Sequence, residues 1–137
     1  MRIMLEEGAR MPTVAHAGDA GMDLYAREDA EILPGEAYTF DTGVHIELPE
    51  GTYGKLESKS GLNVNYNVVS LGGVIDHGYT GSIRVKLYNF GREPYRFLAG
   101  EKIVQMIVVP FVDPELEPVE SLGSTERGEN GFGSSGK

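Results

Sequence analysis

Arg127 and Phe132 stand among glycines in the run Arg127-Gly128-Glu129-Asn130-Gly131-Phe132-Gly133-Ser134-Ser135-Gly136-Lys137. A guanidinium matches phosphate oxygens with a planar fork of donors, and a phenyl ring offers a flat face to a base. Glycine and serine leave backbone N–H groups free to close around an anion. Four glycines leave the segment no side-chain surface for a core of its own, so it is expected to be a mobile tail. Its chemistry is that of a lid ordering over a nucleotide; a frayed Gly/Ser terminus is the plainer reading of the tail taken alone.

Four further polar islands interrupt apolar patterns. Ala20-Gly21-Met22-Asp23-Leu24-Tyr25-Ala26 sets one carboxylate at the start of a strand, or as a cap on the turn at Gly21. Glu57-Ser58-Lys59-Ser60-Gly61-Leu62 gathers a cation, two hydroxyls and a glycine, which suits phosphate and also suits a helix capped by Ser60. Gly73-Val74-Ile75-Asp76-His77-Gly78-Tyr79-Thr80-Gly81 reads as a tight β-hairpin with an acid and a tyrosine near its bend. There Asp76 is a candidate general base on a water, or a turn residue. Gly100-Glu101-Lys102-Ile103-Val104-Gln105-Met106 sets an amide within an apolar strand. Burying it unpaired costs about 1–3 kcal/mol, so Gln105 needs backbone or a ligand as its partner. The histidines at 16, 45 and 77 show no ligand spacing, and His45 reads as the outward residue of an alternating strand.

These islands require a scaffold of short strands. Val44, Ile46 and Leu48 alternate with polar residues, as do Ile83, Val85 and Leu87, and Gly or Pro punctuates the chain at intervals typical of short strands. The run 103–109 is apolar on both faces, which predicts burial on both and, in so short a chain, packing against another subunit. Helical period nowhere persists for three turns, and the region after Ser60 has room for one short helix at most. The fold class is all-β, a jelly-roll-like distorted barrel of many short strands. The 137 residues make one domain over 1–122, followed by a lid segment over 123–137.

Composition narrows the function further. A formal charge of −9, from 21 acids against 12 bases, argues against a duplex nucleic acid partner. With no cysteine, thiolate metal sites and cysteine nucleophiles are excluded. No apolar run reaches membrane-spanning length, and the first residues are too acidic for a signal peptide, so no membrane association and a cytoplasmic location are expected.

All five islands in this order resemble the trimeric dUTP pyrophosphatases (dUTPases), with the 73–81 segment and the tail from Arg127 to Gly136 as the most specific parts. The resemblance implies the family's β-clip barrel and a homotrimer with active sites between subunits. It also implies Mg²⁺-dependent hydrolysis of dUTP to dUMP and pyrophosphate, keeping uracil out of DNA and supplying dUMP for thymidylate synthesis. On these motifs, Asp76 activates the water that attacks the α-phosphorus. Backbone groups of Gly73, Val74 and Ile75 hold uracil in a pocket that Ser70 and Arg84 line, and Tyr79 lies beneath the deoxyribose. Lys59, Ser60, Gly61 and Gln105 grip the phosphates. Arg127, Phe132, Gly133, Ser134 and Ser135 close the lid, with Phe132 stacked on uracil. The metal is held by phosphates and water, with Asp23 only in an outer position.

The chain departs from the family pattern at Lys59 and Lys102, where arginine is usual, at Val104 for alanine and at Ser135 for threonine. Lysine keeps the charge but loses the fork. A dCTP deaminase of the same fold is disfavoured by Gly61 after Ser60. A nucleotide-gated regulatory binding protein is the rival from another class, and an inserted segment between the third and fifth islands would favour it. The stretches 82–100 and 107–126 are too short for one and read as strands and turns.

Overall fold

The computed structural model describes residues 1–130. Eleven strands and one helix follow in the order β1 (Arg2–Leu5), β2 (Gly21–Tyr25), β3 (Ala30–Ile32), β4 (Ala37–Asp41), β5 (Val44–Glu47), β6 (Thr52–Glu57), α1 (Ser60–Tyr66), β7 (Val68–Ser70), β8 (Val74–Ile75), β9 (Arg84–Asn89), β10 (Tyr95–Phe97) and β11 (Lys102–Pro110) among the described residues. The class is all-β, with the one short helix where the sequence left room for it.

All ladders are antiparallel. A four-stranded sheet runs β2-β11-β6-β8, a three-stranded sheet β4-β9-β7, and the pairs β1-β5 and β10-β3 complete the described set. Hydrogen bonding therefore does not close around one continuous barrel; what unites the sheets is the core. Leu24, Leu56 and Met106 from the larger sheet, Phe40, Val85 and Leu87 from the smaller, and Ile46, Ile32 and Phe97 from the pairs form one buried cluster. Phe40 meets Phe97 edge-on with centroids 5.3 Å apart. Burying each such side chain contributes about 1.5–3 kcal/mol.

One expectation about strands is corrected by the pairing. The 73–81 segment is not a hairpin: Val74 and Ile75 pair with Lys55 and Gly54 of β6, whereas the following strand β9 pairs with β4 and β7. The segment is a loop crossing from one sheet to the other. Gly73 forces this course. Its φ is 147°, and a Cβ there would stand 2.8 Å from both the Cβ and the carbonyl oxygen of Leu56. The doubly apolar run also has a local cause. A register shift between Lys102 and Val104 turns Ile103 and Val104 both inward, fully buried, before regular pairing with β2 resumes. Farther along β11, Ile107, Val108 and Val109 are half-buried within the single chain.

Candidate active site

The central strand β11 positions the first group. Gln105 stands opposite Asp23 of β2 on one side and Glu57 of β6 on the other, so the amide and the carboxylate are cross-strand neighbours. Asp23 is no turn cap; it lies within β2 with its side chain 7 % exposed. Lys59 Nζ donates to Asp23 Oδ1 at 2.5 Å, and Lys102 Nζ donates to Oδ2 at 2.6 Å. Burial pushes the Asp23 carboxyl up, but the bonds from Lys102 and Lys59 outweigh it and hold the group below the usual carboxylate range. Asp23 in turn raises Lys102. The two lysines thus converge on one carboxylate, one on each oxygen.

Gln105 finds its partner in backbone, with Nε2 donating to Ser58 O at 3.3 Å. Its side chain lies across Gly21, where a Cβ would come within 2.4 Å of Oε1. Asp19, Gly21, Asp23, Lys59 and Gln105 line an open cleft of about 270 Å³. Asp19 was not singled out in the sequence, since an acid two residues before a glycine reads as an ordinary turn.

The Lys59 loop leads into α1. Lys59, not Ser60, is the N-cap residue, with extended backbone and no side-chain capping bond; Ser60 is the first helical residue. The helix opens with Asn63 N donating to Lys59 O at 3.0 Å and ends at Asn67 in the left-handed region. Gly61 is exposed, and a Cβ there would meet nothing within 4 Å. Ser58 Oγ ties this loop to β7, accepting from Ser70 N at 2.9 Å and lying 3.1 Å from Ser70 Oγ.

A second cleft of about 240 Å³ is lined by Ser70, Gly73, Val74, Ile75 and Arg84, with Leu56 behind them. All five expected base-site residues therefore share one surface. Asp76 follows the buried Ile75 but is itself exposed, and it faces a third cleft of about 520 Å³ with Tyr53, Val74, His77, Phe111 and Asp113. Tyr79 N donates to Asp76 O at 3.0 Å, closing a turn. The Tyr79 ring lies over Gly81, where a Cβ would fall 2.6 Å from Cζ, and its hydroxyl donates to Ser82 O at 2.9 Å.

The far end of this loop is fixed by a network that sequence reasoning missed. Ser82 Oγ donates to Asp41 Oδ1 and accepts from Gly43 N, and Thr42 Oγ1 donates to Ile83 O at 2.8 Å. These partners lie some forty residues away in the chain, and nothing local signals them.

Arg127 is exposed in a stretch without regular structure, and its Nε donates to Asn130 O at 3.0 Å. The remaining lid candidates Phe132, Gly133, Ser134 and Ser135 lie outside the described residues. No group of three or more His, Cys, Asp or Glu able to hold a metal occurs among the described residues.

An all-β domain with a lysine-bearing cleft, a separate backbone-lined cleft and an exposed acid on a fixed loop is the class of protein that emerges. The family model for dUTPase matches residues 7–136, and the chain belongs to that family. It is 43% identical over 136 residues to the deoxyuridine 5'-triphosphate nucleotidohydrolase of Clostridium tetani, covering 98% of this chain and 94% of that protein. The human mitochondrial protein of the same name is 42% identical over 133 residues, covering 97% of this chain and 53% of its own length. Among solved structures, the Staphylococcus bacteriophage 80alpha dUTPase with dUPNHPP superposes with a TM-score of 0.93 at 33% identity, covering 99% of this chain and 98% of that one. A dUTPase mutant from phage phi11 of S. aureus, described with a structural Mg(II) ion, gives a TM-score of 0.81 at 30% identity over 88% and 96% of the two chains.

Proposed function

We propose that the protein hydrolyses dUTP to dUMP and pyrophosphate by attack of water on the α-phosphorus. Asp76 takes a proton from the water as its oxygen bonds to phosphorus; the bond to the bridging oxygen breaks, and pyrophosphate leaves with that electron pair. The observation that carries this reading is the setting of Asp76. It is an accessible carboxylate on a loop held at β6 by Gly73 and at the β4–β5 turn by Ser82. A base so framed keeps its aim when substrate arrives.

Uracil is assigned to the cleft of Gly73, Val74 and Ile75, bordered by Ser70 and Arg84, where backbone groups read its donor and acceptor pattern. Tyr79, pinned by Ser82 O, is assigned the face of the deoxyribose, where it leaves no room for a 2′-hydroxyl. Lys59, Ser60, Gly61 and Gln105 are assigned the phosphates. The open space over Gly61 and the absence of a side-chain capping bond at the start of α1 support that assignment. Arg127, Phe132, Gly133, Ser134 and Ser135 are assigned the lid.

The donor set fits a cation that arrives with its substrate rather than one caged by protein. The phosphate cleft offers the Asp23 carboxylate, already engaged by two lysines, with Lys59 and Gln105 beside it. Mg²⁺ bound to the triphosphate would offset its negative charge, with Asp23 reaching the ion through water. Lys59 adds to that compensation, and Gln105 orients the chain of phosphates.

The proposal includes a homotrimer with active sites between subunits. On one chain the phosphate cleft, the base cleft and the Asp76 surface open separately, which supports completion of each site by another copy. The stretch beyond β11 leaves Val112, Leu116 and Leu122 at least 85 % exposed, apolar surface that calls for a cover. No helix among the described residues is long and apolar enough to cross a membrane; a cytoplasmic role in removing dUTP and supplying dUMP completes the reading.

The test is Asp76→Asn, whose amide has the same shape but cannot take the proton. Turnover should fall by about 10²–10⁴-fold while dUTP still binds, measured by calorimetry. Near-normal turnover in that variant would sink the assignment.

A further inference from the structure

We propose that His45 is a positioning residue for hydrolysis: as an imidazolium it grips the carbonyl of Thr80 and so fixes the loop that carries Asp76 and Tyr79. This rests on the proposed dUTP hydrolysis and adds to it an element outside all five motif segments.

The geometry carries the inference. His45 projects from β5 with its side chain 17 % exposed; Nδ1 lies 2.8 Å from Thr80 O, and Nε2 lies 2.9 Å from Glu6 Oε1. Both partners are acceptors. A neutral imidazole has one N–H, so it would present a lone pair to one of these oxygens; only the doubly protonated ring satisfies both. Arg27 Nη1 bonds the other oxygen of Glu6, so the carboxylate is braced between two cations.

The charged groups around the ring are few. From the segment after β1 comes Glu6, from that after β2 Arg27, and from the end of β4 Asp41. On the same β1–β5 face, Arg2 and Glu47 pair with each other at 2.5 Å and line the roughly 300 Å³ cleft that His45 and Thr80 share. The Glu6 bond first, then the Thr80 carbonyl, hold His45 above the ordinary histidine value, against the opposing effect of burial. A raised value means that both bonds are complete at low pH; as pH rises through it one N–H remains, the Glu6 carboxylate claims it by the stronger charge-assisted bond, and the Thr80 carbonyl is released.

The position of the grip gives it leverage. Thr80 directly follows Tyr79, and Ser82, two residues on, accepts the Tyr79 hydroxyl. Release of the Thr80 carbonyl therefore frees the middle of a loop whose ends stay fixed. The expected result is loss of aim in both Asp76 and Tyr79: lower kcat for dUTP and weaker rejection of UTP, with KM for dUTP changed less.

The experiment uses the full-length protein in two arms. In the first, NMR follows the His45 ring and the ¹³C carbonyl of Thr80 across pH; both should titrate with one midpoint above about 6.5. In the second, kcat and KM for dUTP and for UTP are measured over the same pH range in wild type, His45→Gln and His45→Lys. Wild type should lose about tenfold in dUTP-over-UTP discrimination across that midpoint. His45→Gln should sit at the lower level throughout, and His45→Lys, a cation that does not titrate there, should retain discrimination to higher pH. A Thr80 carbonyl that ignores the His45 titration overturns the inference, even if the variants fail to fold. So does a His45→Gln enzyme with the wild-type pH profile. Failure of wild type to turn over dUTP at all would instead remove the parent reading, while the carbonyl titration still tests the grip.

Discussion

Asp23→Asn probes the junction beneath the cleft assigned to the phosphates. The side chain is 7 % exposed, and each carboxylate oxygen accepts from a different lysine. The amide keeps one acceptor oxygen but turns an NH₂ donor toward the other ammonium, so one lysine must lose its partner. A hydrogen bond to a charged group contributes about 1.5–3 kcal/mol. Lys59 is the better enclosed partner, 26 % exposed against 42 % for Lys102, whose bond is more screened by water. A loss of about 2 kcal/mol follows, or roughly 6 °C in Tm for a domain of this size. The pH dependence has a definite sign. Because the folded-state value of Asp23 is depressed, its stabilisation is complete above about pH 4, the unfolded value, and disappears as pH falls through the folded value. Thermal melts of both proteins at one protomer concentration, from pH 3 to 8, should show the full gap at neutrality and a shrinking gap below pH 4. A gap under about 1 °C at pH 7, or one that stays constant into acid, would refute the two-lysine account.

Other expectations follow from single observations. Gly81→Ala places a Cβ 2.6 Å from Tyr79 Cζ, so the ring must move; UTP should gain about tenfold in kcat/KM relative to dUTP in a parallel assay. Gly73→Ala meets both an unfavourable φ of 147° and the Leu56 backbone, and should lower Tm by roughly 6 °C or more while detaching β8 from β6 in amide exchange. Deletion of residues 127–137 should cut dUTP turnover about 10²-fold with sedimentation unchanged, since the clefts assigned to the phosphates and the base lie wholly within the remaining chain.

Much of the molecule could be read from sequence wherever the cause was local. Alternation at Val44-Ile46-Leu48 and at Ile83-Val85-Leu87 reported core-facing positions, all of which are buried. The absence of long helical period left room for α1 alone. Pairing partners were another matter. The 73–81 segment has the composition of a hairpin, but Gly73's approach to Leu56 sends β8 to β6, and a sequence does not show which strand will be waiting there. The doubly apolar start of β11 was visible, but its cause, a bulge, requires the register of β2. At the cleft assigned to the phosphates, Lys59 and Gln105 stood out in the sequence as polar residues beside apolar strands. The convergence of Lys59 and Lys102 on one carboxylate was not legible, since Lys59 lies outside any strand and Lys102 comes beside Asp23 only through the β11–β2 pairing. His45 was read as an outward strand residue, and its position agrees; the two oxygens that claim it come from Glu6 and Thr80, far away in the chain.

The most direct test of the proposed function is pyrophosphate release with Mg²⁺ from dUTP, dCTP, dTTP and UTP in parallel, with products separated by chromatography. Rapid conversion of dUTP alone to dUMP is the predicted result, and it would support the Asp76 chemistry together with the base and sugar assignments. No release from any of the four, with dUTP nonetheless bound tightly, would contradict the account and leave a nucleotide-binding protein in place of an enzyme.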